Sequence, residues 1–224
     1  MVDAAVGELP LYLWLSPAFP VGAFAYSHAL EWAAEAGDLD GAMALLAWLE
    51  DLCDFGGPRL DAGLFVAAHR AATAKDWAAL AEVNELAVAL AGSGERRLET
   101  TAQGGAFVTA ARAAWPCEPL AHLDSPVAYS VAVGAACAGH GFALPTSLPA
   151  FLTSLVANLV SAAVRLSVIG QTEGQKTLAA LLPRVAALAR DAEGAELASL
   201  GGCAFRSDLA SLRHETQYSR LFRS

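Results

Sequence analysis

An all-α fold is what this sequence predicts, on three observations. Alanine and leucine, both strong helix formers, dominate the chain. Glycine and proline fall between the apolar periodic segments as punctuation. The period-two alternation of a half-buried strand barely occurs.

The first predicted helix covers 26–36. Pro17 and Pro20 hold an extended approach, and Gly22 lets the backbone turn. Tyr26, Ala29, Leu30 and Ala33 then share one face, and Gly37 stands where a helix stop belongs. Apolar periodic segments predict helices over 40–55, 58–73, 76–91 and 95–114. Ser125-Pro126 reads as an N-cap followed by proline at the first helical position, opening 126–139. Ser147-Leu148-Pro149 opens 149–169 in a similar way. In the helix at 175–191, Pro183 is expected to kink or split the segment. A short helix at 193–200 and a last one at 207–217 complete the series. No Ser/Gly-rich linker divides the chain, and no internal repeat is found. The expected organisation is a single-domain multi-helix bundle, residues 1–206, with a detachable C-terminal docking tail, residues 207–224.

The 224 residues are 55% hydrophobic and only 17% charged. That leaves ample core material and predicts apolar surface hidden by self-association. The formal charge of −9 is uneven: residues 1–99 carry 15 acids against 5 Lys/Arg, so the acidic excess lies in the first half. No clustered basic face for nucleic acid is present. Cys53, Cys117, Cys137 and Cys203 are far apart, have no metal-binding spacing and read as core residues of a reducing, cytoplasmic compartment. The start has no basic region leading into an apolar one. Residues 125–164 lack Asp, Glu, Lys and Arg, yet Pro126, Pro145 and Pro149 interrupt them. They therefore read as buried helices and not as membrane spans.

Catalytic patterns are missing. There is no phosphate-binding G-x-x-x-x-G-K-[ST] and no dinucleotide G-x-G-x-x-G. Ser27-His28, and Ser125 with His122 and Asp124, supply triad residue types, but adjacent helical residues do not face each other. His28, Glu31 and Glu35 share the second face of the predicted 26–36 helix. That face reads either as part of a metal site or as a solvated His–Glu pair. A metal-binding core would need His28 to meet His69, His122, His140 or a cysteine. Gly104-Gly105 inside a helix suggests either close packing or a kink. The tail places Tyr218, Leu221 and Phe222 at i, i+3, i+4 beside Arg220 and Arg223. A helical tail would make these one apolar stripe for a partner's groove, the alternative being a tail folded back on its own body.

Four segments occur in order: "SPAFPVGAFAYSHALEWAAEAGDL" from Ser16, "RRLETTAQGG" from Arg96, "RLSVIGQTEGQ" from Arg165 and "HETQYSRLFRS" from His214. Together they resemble the signatures of the urease accessory protein family UreF, from about residue 11 onward. Ala25 stands where that family often has serine, and Ala29 where it often has glycine. The resemblance implies an all-helical, non-enzymatic homodimer without a cofactor of its own. It implies binding to the accessory protein UreD (also called UreH) and recruitment of the nickel-carrying GTPase UreG, so that Ni²⁺ enters apo-urease in a GTP-dependent way. It assigns Tyr218, Arg220, Leu221 and Phe222 to the UreD/UreH contact and Tyr26 to the surface that recruits the GTPase. The alternative is a helical protein that binds a metal or small ligand in its own core.

Overall fold

The elements follow from where the chain can and cannot satisfy its backbone. A computed structural model describes residues 7–224. In chain order the helices are α1 (Leu9–Trp14), α2 (Leu30–Glu35), α3 (Ala42–Phe55), α4 (Gly57–Ala74), α5 (Trp77–Ala89), α6 (Gly94–Ala114), α7 (Glu118–Ala121), α8 (Tyr129–Gly139), α9 (Leu144–Arg165), α10 (Gln171–Glu193) and α11 (Phe205–His214). Among the described residues no strand occurs. The all-α multi-helix fold is therefore the one the sequence predicts.

The departures have local causes. Helices α1 and α7 were not expected; each carries a proline in its first turn, where no intrahelical N–H is required. Helix α8 does not start at Pro126. The Ser125–Pro126 peptide is cis, and α8 is capped from outside. Asn84 Oδ1 accepts from Ala128 N at 2.9 Å, and Thr100 Oγ1 accepts from Tyr129 N at 3.1 Å. Helix α9 begins at Leu144 and carries Pro149 inside it, so that proline interrupts nothing. Pro183 likewise lies within an unbroken α10. Because α10 runs to Glu193, the expected 193–200 helix shrinks to a 3₁₀ turn at Leu197–Ser199.

Helix α4 packs most extensively on α8. The approach is close because Gly134 has no side chain: a Cβ there would lie 2.6 Å from the carbonyl oxygen of Phe65. In the Gly104-Gly105 pair only Gly104 is used this way, since its Cβ would lie 2.0 Å from the Val127 oxygen. Gly105 faces open space. One part of the core gathers Trp14, Phe65, Phe107 and Phe151, with Trp14 edge-on to Phe107 at 5.8 Å. The other gathers Leu30, Leu45, Leu49, Leu159 and Leu181, and includes Phe222 from the tail. Helix α9 is long and apolar enough to cross a membrane, and half of its most apolar window is buried inside the protein.

Candidate functional site

Residues 22–31 do not form the helix that their pattern predicts. Gly22, at φ 72°, turns the chain into a short 3₁₀ turn, Ala23–Ala25. Tyr26 is extended. His28 and Ala29 then adopt positive φ, 51° and 63°, before α2 starts at Leu30. The reason lies at the other end of the chain. Ser27 N and Ser27 Oγ both donate to the carbonyl oxygen of Ser224, each at 2.6 Å, and Arg223 N donates to Ala25 O at 2.8 Å. These long-range bonds replace the first helical turn.

Left-handed backbone costs an L-residue about 1–2 kcal/mol. Ala29→Gly would relieve that, but it would lose a buried methyl, about 0.8 kcal/mol, and free the unfolded chain by about 0.4–1 kcal/mol. The variant should therefore melt close to the parent. Ala29→Val adds β-branching at positive φ in a fully packed position and should cost about 2 kcal/mol or more. Thermal unfolding of the two variants checks this; equal melting would refute the assigned backbone.

His28 turns inward onto α6. Its Nε2 lies 2.8 Å from Glu99 Oε1 and 2.7 Å from Arg96 Nη1. A guanidinium only donates, so this nitrogen either accepts from Arg96 or donates to Glu99. Arg96 also donates to Glu99 Oε2 at 2.5 Å and lies 3.7 Å from Asp61 Oδ2. Gln103 and Ser224 Oγ complete the shell of Glu99, at 3.0 and 2.9 Å. Burial by itself would push the Glu99 carboxyl up; Arg96, His28 and these hydrogen bonds outweigh it and bring it down to about 2. Burial holds the Asp61 carboxyl above its ordinary range despite Arg96. The same carboxylates raise Arg96 against its own burial. The sign for Glu99 follows: its stabilisation is complete above pH 4.5 and is lost as pH falls towards about 2. Asp61 contributes with the opposite sign.

A second cluster fixes the tail. His214 ends α11 with 0% exposure. Its Nδ1 lies 2.7 Å from Glu95 Oε2 and its Nε2 3.1 Å from Glu31 Oε2. Glu31 also accepts from Leu221 N at 2.6 Å and Phe222 N at 2.9 Å. Arg220 donates to Glu95 Oε1 at 2.9 Å, and Gln217 donates to Glu35. Glu215 Oε1 accepts from Gly94 N at 2.9 Å, placing a carboxylate at the N-terminus of α6. Phe222, 4% exposed, sits in the core with the Arg165 guanidinium 4.5 Å above its ring.

Several expectations are corrected here. The tail is not a separable helix: α11 ends at His214, and the boundary expected at 206/207 falls inside it. Residues 214–224 fold back onto the body. Tyr218, Leu221 and Phe222 do not form one stripe, because the chain beyond His214 is not helical. Tyr218 is fully exposed and Leu221 is 69% exposed, whereas Phe222 points inward. Tyr26 is buried at 3% exposure. His28, Glu31 and Glu35 neither share a solvated face nor converge on one point. His28 faces Arg96 and Glu99, Glu31 holds the tail, and Glu35 meets Gln217. The other histidines are apart: His69 bonds Phe142 O, His140 bonds Trp115 O, and His122 stacks on Trp77 at 4.2 Å. Among the described residues no three His, Cys, Asp or Glu side chains gather as metal ligands. A cavity of about 210 Å³ lies between Trp14, Phe19, Phe24 and Tyr129, with Arg96 and Glu99 at its wall. Those two charges already pair with each other.

Glu95, Arg96, Glu99 and His214 lie in or beside the sequence motifs, yet no local pattern marks them for these roles. A signal of burial was present. Glu95, Glu99 and Gln103 recur every four residues in line with Phe107, so polar groups occupy the buried face of α6.

The chain has close relatives among known proteins. A family model described as UreF matches residues 39–182. The urease accessory protein UreF of Xanthobacter autotrophicus is 56% identical over 226 residues, covering 99% of this chain and 93% of the relative. That of Methylobacterium radiotolerans is 52% identical, covering 98% of each. That of Azorhizobium caulinodans is 53% identical, covering 99% of this chain and 97% of the relative.

Proposed function

Since the chain belongs to the UreF family of urease accessory proteins, we propose that it bridges UreD/UreH and the nickel-carrying GTPase UreG during GTP-dependent insertion of Ni²⁺ into apo-urease. In this reading nickel is cargo, and the protein is a cytoplasmic, homodimeric chaperone and not an enzyme. Its contribution is to present surfaces in a fixed relation. Tyr218, Arg220 and Leu221 serve the UreD/UreH contact directly, Phe222 serves it by anchoring the segment from inside, and Tyr26 supports the surface that recruits UreG.

The observation that carries this reading is the form of the tail. Tyr218 and Leu221 stand fully or largely exposed on a segment whose neighbours are pinned to the body. Exposed apolar side chains on a pinned backbone lose little freedom when a partner covers them. Aromatic residues and arginine are favoured anchors in such contacts. Phe222 has a different task, because its ring holds the segment in place from inside.

The test separates contact from folding. Tyr218→Ala and Leu221→Ala remove side chains that are fully or largely exposed, so both variants should melt close to the parent. Capture of UreD/UreH from the same organism should weaken by about 2 kcal/mol or more for a central anchor, roughly thirtyfold in Kd. Urease activation in cells should fall with it. Undiminished capture by the double variant would refute the assigned surface.

A further inference from the structure

Hydrogen-bond inventory at His214 implies a proton that the sequence gives no hint of. Both ring nitrogens face carboxylate oxygens, Glu95 at 2.7 Å and Glu31 at 3.1 Å. An ionised carboxylate only accepts, and a neutral imidazole has a single N–H. A neutral ring between two carboxylates would therefore leave one nitrogen lone pair aimed at an oxygen lone pair. The docked arrangement needs one proton more, on the ring or on one of the carboxyls. Three coupled groups hold it jointly, and it belongs to the cluster and not to one residue.

The other charges around the cluster are Arg220, on the second oxygen of Glu95, and Glu35 and Glu215, each engaged elsewhere. Further along α6, Glu99 is matched by Arg96. None of these supplies a donor to the vacant ring nitrogen. The same carboxylate that faces the ring on the α2 side also holds the amides of Leu221 and Phe222. Loss of the proton thus acts directly on the grip that keeps Phe222 in the core.

We propose that Glu31, His214 and Glu95 form a proton-linked latch for residues 214–224, closed while the cluster holds its extra proton and loosened when that proton leaves. Undocking exposes both carboxylates to water, where they ionise, and above the ordinary histidine pKa of about 6.5 the freed ring does not keep the proton either, so it is released. The sign is fixed: above that pKa the docked state binds one proton more than the undocked state, so docking weakens as pH rises. The inference goes beyond the bridging role and does not depend on which partner uses the tail.

Hydrogen exchange of the intact chain, resolved at Leu221 and Phe222, tests the latch. Protection factors already corrected for the intrinsic pH dependence of exchange are followed across about pH 5 to 8, where histidine changes charge. Protection at these two amides should fall up to tenfold per pH unit over part of that range, the slope for one linked proton. Amides in α8 should not follow the same slope. Glu95→Gln offers the ring a donor, so the tail should stay protected and the slope vanish. His214→Gln should also abolish the slope, with lower protection throughout. A flat parent profile, a slope shared equally with α8, or an unchanged slope in Glu95→Gln would each overturn the proposal.

Discussion

Removing residues 214–224 should lower the melting temperature by about 10–20 °C, at about 2–4 °C per kcal/mol for a chain of this size. The loss has two sources. Phe222 is buried in the core beside the leucines of α3 and α9, and deleting a buried phenylalanine side chain costs about 3–5 kcal/mol. The truncation also strands Glu31 and Glu95, both buried, without His214, Arg220 and the amides of Leu221 and Phe222. Breaking a buried charge pair from one side costs about 3–5 kcal/mol. The two terms share partners and will not simply add, so about 5 kcal/mol is a conservative total by either term. Thermal unfolding by circular dichroism, with a dye that reports apolar exposure, measures it. A truncated chain that melts within a few degrees of the parent would contradict the folded-back tail. A detachable tail, as the sequence suggests, would give that result.

The tail shows where sequence reading stops. Helical period is a local property, and it located α3 to α6 to within a few residues, because α3 to α5 bury apolar positions that recur at helical spacing and α6 does so in its second half. Two regions failed for one physical reason. Residues 26–29 have helical spacing, but Ser27 is drawn to Ser224, which lies 197 residues away. Residues 218–222 have helical spacing too, but the amides of Leu221 and Phe222 go to Glu31. In both, a long-range polar bond outweighs a short-range preference, and periodicity contains no term for that. Charge was the better guide in principle. In a chain this poor in charged residues, Glu95, Arg96, Arg97 and Glu99 fall within five positions at the start of α6. Such a group is either solvated or paired, and only the fold decides which. Here Glu95 and Glu99 lie inward, and α6 joins the opening segment to the C-terminal one in a single network.

That network makes Arg96 the side chain with the most to lose. Arg96→Met keeps the aliphatic stem and removes the guanidinium. Glu99, 4% exposed, and Asp61, 15% exposed, would then face each other without their shared cation. His28 can turn its proton to Glu99 across 2.8 Å and offset part of the loss. The expected cost is about 3–5 kcal/mol near neutral pH. The pH dependence distinguishes this cause from a packing defect. In the parent, Glu99 is held down to about 2, and its stabilisation survives until the medium becomes strongly acidic. Without Arg96 only His28 and the hydrogen bonds from Gln103 and Ser224 oppose the burial penalty at Glu99, and both carboxyls resist ionisation more than in the parent. A carboxyl whose folded form prefers to stay protonated gains stability as pH falls towards its ordinary range. The gap between parent and variant should therefore narrow steadily from pH 7 to about pH 4, the range set by ordinary carboxylates. Adding Glu99→Gln to Arg96→Met removes one of the two stranded charges, so the double variant should regain stability over the single one. A gap that stays constant with pH, or a double variant less stable than Arg96→Met, would mean that Arg96 acts through packing alone. In that case the tail's bond from Ser224 to Glu99 would not depend on Arg96 for its charge.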